Sequence, residues 1–503
     1  MKPFLLGIDQ GTSGSKAIIL DREGHVHGYG YHGLARLYPQ PGYVEQEPQA
    51  VADGVSAAIT EALGNAGCRP DEIAACGLTS QRNTEFAWDK RNGRSLTNAI
   101  TWQDLRTAPI LEELKSWPHY SEMRHRLGYA PGTYMTAVHL AWRMRWETAV
   151  MQSAKSGNLQ LGLSTAWLLN ALGNPSAHVM DSSMVQAMGL YDFRAGNYWQ
   201  EWLDWIGLTT DPLPAAVPTL HDYGTLTITA PDGATANVPV LAMIGDQQSA
   251  LFGQGCRQPG DAECTHGTAS YVKVFMGQQA PIQDKLNVYN AWHLGQQQTY
   301  CLEAATSVTG AAMRWLRDNA RLFDEYEEMT ALAASVPNSQ GVVFVPAFHG
   351  LEVPYNDAQA RATIFGLTLG HDRGHISRAF FEAIGFQIRT ILETITAETG
   401  IGVDKLLVGG GVSASDLACQ IQADLVGIPV QRPTFTETTA WAAGLLAGLG
   451  AGFWPDESAM PLPPGEYVQF EPMLNQSSRN EGYAAWQRAV DFVRDWGRKK
   501  DEG

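Results

Sequence analysis

Positive charge is scarce in this chain. Of 503 residues, 35 are Lys or Arg against 52 Asp or Glu, a formal net charge of −17, so no broad basic face can neutralise a nucleic-acid backbone or an anionic bilayer. Between Asp222 and Gly245 there is no Lys or Arg at all. Cysteine is sparse too: Cys68, Cys76, Cys256, Cys264, Cys301 and Cys419 form no C-x-x-C pair and no zinc-ligand spacing. No apolar run approaches the roughly 20 residues of a membrane helix. The opening apolar run meets Asp9, too early for a secretion signal. A disulfide scaffold, a structural zinc and a membrane span are therefore not expected, and the expected location is the reducing cytoplasm.

What is present is the composition of a globular enzyme, 44% hydrophobic and 17% charged, at a length of two large domains or about three average ones. Phe4–Ile8 and Ala17–Leu20 are short apolar runs around Asp9-Gln10-Gly11-Thr12-Ser13-Gly14, which predicts strand, tight turn, strand. Val51, Val55, Ile59 and Leu63 then recur every four residues after Pro48 and predict a helix, followed by a buried strand from Ile73 to Leu78. A second meander is expected around Cys264-Thr265-His266-Gly267-Thr268-Ala269-Ser270. Both meanders place Gly-Thr and a small hydroxylated residue in a turn between strands, which suggests a duplicated, two-lobed α/β architecture. Helices are expected at about 376–399, from Ser415 and over 439–449, with a strand 405–408 running into Gly409-Gly410-Gly411. Tyr483, Trp486, Val490 and Val493 recur at helical spacing and predict a terminal helix packed on the body.

Three glycine-rich turns, at 11–14, 267–270 and 409–411, lie at expected strand ends. Such turns either cradle anionic oxygens with backbone N–H groups or simply reverse the chain. Asp9 precedes the first turn and is either an Asx-turn residue or a Mg²⁺ ligand acting largely through water. Asp246 ends an expected strand and opens a helix, as a helix N-cap or as a general base.

Gly7-Ile8-Asp9-Gln10-Gly11-Thr12-Ser13, Gly42-Tyr43-Val44-Glu45-Gln46-Glu47-Pro48, Gln81-Arg82, Asn98-Ala99-Ile100-Thr101-Trp102-Gln103-Asp104, Gly245-Asp246-Gln247-Gln248, Gly267-Thr268 and Gly409-Gly410-Gly411 occur in this order. So do Val345-Pro346-Ala347-Phe348, Pro354-Tyr355, Gly366-Leu367-Thr368 and Glu437-Thr438-Thr439-Ala440. Across essentially its whole length the chain thus resembles the FGGY carbohydrate kinases, with the glycerol kinases as the nearest branch. The resemblance implies two actin-like (RNase H-like) lobes, residues 1–246 binding a polyol and 247–503 binding ATP, with an active-site cleft between them. It places Asp9 near Mg²⁺, Thr12, Ser13, Gly267 and Thr268 at the phosphates, and Gly310, Gly410, Gly411 and Ser415 around the nucleotide. Asp246 becomes the catalytic base, and Arg82, Asn83, Trp102, Tyr134, Asp246, Gln247 and Tyr271 surround the acceptor. A homo-oligomer, as a dimer, is the family's expectation.

Three positions depart from the glycerol kinase pattern. Asn83 stands where a glutamate is usual, which exchanges a charged acceptor for a neutral amide and widens the choice to glycerol, a longer polyol or a ketose such as xylulose or ribulose. His139 replaces a lysine, and Ser415 an asparagine that faces the nucleotide. The cation-free stretch 222–245 further predicts no feedback by a sugar bisphosphate, whose two phosphates need basic partners. A different class, an actin-like ATPase acting on a protein, has no use for the acceptor-side set Arg82, Trp102, Tyr134 and Tyr271. A non-catalytic polyol sensor would not need both Asp9 and Asp246.

Overall fold

Phe4–Gln10 (β1), Gly14–Leu20 (β2) and Val26–Gly33 (β3) form the antiparallel meander that their apolar runs and intervening turns predict. The computed structural model describes residues 2–281, 285–306 and 308–498. Helix Pro48–Ala66 (α1) begins on a proline and ends at Gly67, whose φ of 62° suits the left-handed cap. Its stripe Val51, Val55, Ile59 and Leu63 is buried, and the helix lies on β2 and β3. Ile73–Ser80 (β4) and Thr235–Gly245 (β5) run parallel to β1, giving the order β3-β2-β1-β4-β5, with two further strands beyond β5.

The second half repeats this plan. Ala262–His266 (β6), Ser270–Gly277 (β7), Gln297–Ala305 (β8), Leu406–Gly410 (β9) and Val430–Pro433 (β10) stand in the order β8-β7-β6-β9-β10. One more strand flanks each edge, so each sheet has seven strands. β7 is antiparallel to both β6 and β8, while β6, β9 and β10 are parallel. Gly11-Thr12 and Gly267-Thr268 are therefore the same corner of two copies of one α/β topology, as the paired turns predict.

The principal helices agree with the periodicity, with shifted ends. Arg373–Thr399 begins one turn before Ile376 because Asp372 accepts hydrogen bonds from the N–H groups of Gly374 and His375. β9 continues past Val408 to Gly410, where φ is 87° and a Cβ would lie 2.2 Å from the His266 carbonyl oxygen. No side chain can occupy that register against β6. In the terminal helix Gln476–Arg498, Tyr483, Trp486, Val490 and Val493 are core residues, as expected. All six cysteines are buried and unpaired. Among the described residues no helix is long and apolar enough to cross a membrane.

Two helices join the sheets. Asp246–Gly253 (α2) follows β5 directly, and Thr438–Gly450 (α3), from late in the chain, packs on β1, β4 and β5 of the first sheet. The contact is backbone to backbone. A Cβ on Gly7 would lie 2.0 Å from the Ala440 carbonyl oxygen, and one on Gly77 1.8 Å from that of Ala443. The start of α3 also touches α2, since a Cβ on Gly253 would lie 2.2 Å from the Thr438 carbonyl oxygen and Ser249 donates to the Thr439 carbonyl at 2.8 Å. A larger residue at Gly77 must push α3 off the sheet. Gly77→Val is expected to cost on the order of 3 kcal/mol, read as a lower urea midpoint, and to lower activity by displacing Glu437 at the start of α3.

Candidate active site

Asp9 lies on β1 directly opposite Lys16 of β2, and the ammonium of Lys16 pairs with Glu437, at the start of α3, at 2.8 Å. Asp9 itself accepts no hydrogen bond among the described residues, so it is not an Asx-turn residue. Burial, reinforced by the charge of Asp246 and opposed by Lys16, pushes its carboxyl up to about 7. Asp246 is the first residue of α2, whose N-cap is Gly245 and has no side-chain cap. The N-cap alternative for Asp246 thus falls away. Its Oδ1 accepts the N–H of Gln247 at 2.7 Å, and burial raises its carboxyl above the usual range against the pull of Arg82. The strand end before it is pinned: the Gly245 N–H donates to Ser183 Oγ at 3.0 Å, and Ser183 donates to the buried Asp181 at 2.9 Å.

On the first lobe's side of Asp246 lies Arg82, with Nε 3.9 Å from Asp246 Oδ1 and the guanidinium 4.5 Å from the centre of the Tyr289 ring. Its Nη2 donates to both oxygens of Glu303, at 2.9 and 2.7 Å, while its buried Nη1 has no partner among the described residues. Burial disfavours the charge on Arg82, but Glu303, Tyr289 and Asp246 hold it protonated. Asn83 has φ 57°, a left-handed conformation that Asn tolerates, and its Oδ1 faces the Thr136 N–H at 3.4 Å. Trp102 donates to Thr12 Oγ1 at 2.9 Å, and Thr12 donates to Gln81 at 2.9 Å, which ties the first turn to the acceptor-side residues. Tyr134 donates to the Ala130 carbonyl at 3.0 Å. Tyr271 sits in the field of Glu303, Arg82 and Asp246, and the side-chain amide of Gln247 makes no hydrogen bond among the described residues.

The second lobe holds a cavity of about 660 Å³ whose wall includes Gly267, Thr268, Gly310, Gly411 and Ser415. Gly410 lies behind that wall against His266, and Thr12 and Ser13 occupy the matching corner of the first sheet. Ser415 caps the helix Asp416–Val426 through Ala418 N–H at 3.3 Å and accepts from Thr330 at 3.3 Å. In each Gly-Thr turn the N–H of the first glycine closes the turn, onto the carbonyl three residues on in the first and two residues on in the second. Gly11 N–H bonds to the Gly14 carbonyl and Gly267 N–H to that of Ala269, each at 2.9 Å, leaving the N–H groups of Thr12, Ser13, Thr268 and Ala269 without partners among the described residues. The N–H groups of Gly310 and Ala311 hold the carbonyls of Gly267 and Thr268 at 3.0 and 3.1 Å. Free N–H groups beside a cavity are what an anionic oxygen requires.

Four residues of the site carried no role in the sequence analysis: Lys16, Lys273, Glu303 and Glu437. Lys273 and Glu303 had a legible sign, a lone charge inside an apolar strand, which a buried sheet face rarely carries without a reason. The pairing of Lys16 with Glu437 joins residues 421 apart in sequence and had none.

His266 anchors the second turn from beneath. Its two ring nitrogens lie 2.7 Å from Ser270 Oγ and 3.1 Å from Gln422 Oε1, and Ser270 continues to Thr309 at 2.7 Å. Burial lowers its pKa from 6.5 to about 4. An unfolded chain binds this proton below pH 6.5 and the folded chain only near pH 4, so the folded state loses stability as pH falls between those values. The loss is up to about 3 kcal/mol. Thermal unfolding of wild type and His266→Gln at pH 7 and pH 4.5 checks this: the wild type should lose more, relative to the variant, at the lower pH.

Comparison with known proteins gives the family. Residues 4–253 match the N-terminal domain and residues 262–451 the C-terminal domain of the FGGY family of carbohydrate kinases. A glycerol kinase of Symbiobacterium thermophilum is 38% identical over 98% of this chain and 99% of its own length, and glycerol kinase 2 of Thermotoga maritima is 36% identical over 98% and 99%. The crystal structure of Plasmodium falciparum glycerol kinase with ADP superposes with a TM-score of 0.90 at 26% identity, covering 97% of this chain and 98% of that one. A xylulose kinase from Rhodospirillum rubrum shares the fold, with a TM-score of 0.85 at 22% identity over 98% and 100%. Two family domains across the chain and relatives above one-third identity over nearly its full length place it in the FGGY family of carbohydrate kinases, as a phosphotransferase that acts on an alcohol group.

Proposed function

We propose that the chain transfers the γ-phosphate of ATP to a primary hydroxyl of glycerol or a similar small polyol. The observation that carries this reading is the pairing, at the junction of the lobes, of a half-buried carboxylate, Asp246, with an arginine, Arg82, whose Nη1 has no partner among the described residues. The first lobe, residues 1–246, supplies most of the polyol site, and the second, residues 247–503, supplies the nucleotide site. Arg82, Asn83, Trp102, Tyr134, Gln247 and Tyr271 bind the acceptor, combining hydrogen-bond groups with aromatic walls that suit a small polyol and its carbon face. Gly267, Thr268, Gly310, Gly410, Gly411 and Ser415 bind the nucleotide, and the free N–H groups at Thr12 and Ser13 meet its phosphates from the other side.

Asp246 accepts the proton of the attacking hydroxyl. A carboxylate whose affinity for a proton is raised by burial is a better base than a solvated one. Arg82 holds the acceptor oxygen in line through its unpaired nitrogen, so that most of the acceleration comes from positioning and charge neutralisation. Asp9, a half-buried carboxylate without a hydrogen-bond partner among the described residues, suits a hard cation. Among the described residues no group of three or more His, Cys, Asp or Glu gathers, so Mg²⁺ would be held by Asp9 with water completing its shell. Its chemistry is to neutralise phosphoryl oxygens. A cytoplasmic homodimer completes the reading.

Coupled assays with Mg-ATP across glycerol, tetritols, xylulose and ribulose test the acceptor: kcat/KM should be highest for glycerol or a tetritol, and a preference for either ketose overturns the choice. Asp246→Asn should lower kcat by about 10³-fold while ADP affinity, measured by calorimetry, stays within about twofold. Near-normal turnover would exclude this base.

A further inference from the structure

Across three neighbouring strands of the second sheet stands a row of charges that a buried sheet face would normally exclude. Glu263 on β6 is opposite Lys273 on β7, and Lys273 is opposite Glu303 on β8. Their exposures are 0, 1 and 6%. Lys273 forms an ion pair with Glu263, whose other oxygen accepts from Thr265 at 2.9 Å. Arg82 extends the row from the other lobe by its two contacts with Glu303, and Asp246 follows at 3.9 Å from Arg82. The signs alternate along the whole line, from Glu263 to Asp246.

Apolar residues would serve the fold at least as well here, because a buried ion pair seldom outperforms well-packed hydrocarbon. The same face of β7 carries Tyr271 and Phe275 on either side of Lys273, and Phe275 stacks on Trp292 at 4.6 Å. The geometry around Arg82 suggests what the charge does. A carboxylate facing a lone arginine prefers the two-nitrogen fork, yet here both oxygens of Glu303 share a single nitrogen and Nη1 has no partner among the described residues. Lys273, opposite Glu303 across the ladder and in its electrostatic field, adds a second positive charge near the same carboxylate, which weakens its demand on the guanidinium.

We propose that Lys273 is a positioning residue for acceptor binding, acting through Glu303 to keep Arg82 turned toward the acceptor instead of forked onto Glu303. This rests on the reading of Arg82 as an acceptor ligand. Without Lys273 the arginine is drawn into the fork and its free donor is lost to the substrate. Glu263 is the counter-charge that makes Lys273 tolerable in the core.

The test removes the pair together, so that no lone charge is left buried. Glu263→Gln/Lys273→Met, with Glu263→Gln/Lys273→Gln as the companion that keeps a polar pair, should fold with an unfolding temperature no lower than wild type. Its acceptor KM should rise on the order of tenfold, while the ATP KM stays within about twofold. Glu303→Gln should also raise the acceptor KM, and adding it to the double variant should give no further rise, since Lys273 acts only through Glu303. An unchanged acceptor KM in whichever double variant folds, or effects that multiply, overturns this inference alone. So does failure of both double variants to fold, since the charges would then be needed for the core itself. Absence of acceptor-dependent turnover in the unmodified protein overturns the functional reading and this inference with it.

Discussion

The close approach of α3 to the first sheet is the contact on which the site depends. Helix and strands meet where Gly7 and Gly77 leave no room for a methyl group, so a segment from the end of the second half becomes part of the first lobe's packing. That contact delivers Glu437 to Lys16, opposite Asp9, and holds α2, with Asp246 at its head, against the start of α3. Close-packed interiors transmit small shifts, so a displaced α3 would draw Glu437 away from Lys16 and Asp9 and loosen α2 with Asp246 at its head.

Charge is then arranged against stability. Burial raises the proton affinity of both Asp9 and Asp246, the charge of Asp246 raises that of Asp9 further, and the nearby cations are already engaged, Lys16 with Glu437 and Arg82 with Glu303. Such a cluster is costly in a folded chain, and in the proposed reaction it offers groups suited to a cation, a proton and a polyphosphate. The hydrogen-bonded, unionised His266 beneath the second turn shows the complementary strategy: it anchors the turn without adding a charge beside the cavity.

Much of the fold was legible because its signals are local. The meanders around Gly11-Thr12 and Gly267-Thr268, the four-residue period of α1 and the stripe of the terminal helix each follow from residues within 20 positions of one another. Boundaries were less legible where capping decided them, as at Asp372, or where another strand's carbonyl set a glycine's register, as at Gly410. Asp9 and Asp246 were visible as carboxylates at strand ends, but their alternatives, Asx turn and N-cap, could be dismissed only from hydrogen bonds. Glu303 and Lys273 were ordinary charges in apolar strands until the sheet register aligned them with each other and with Arg82.

By itself the order of residues determined the α/β class, the doubled turn and strand pattern, and the chemical inventory of the cleft, because short-range periodicity and turn chemistry are properties of neighbouring residues. Tertiary structure alone decided which charges face which. Coulomb interaction and burial depend on distance through space, and the pairs that matter here, Lys16 with Glu437 and Arg82 with Glu303, are separated by 421 and 221 positions along the chain.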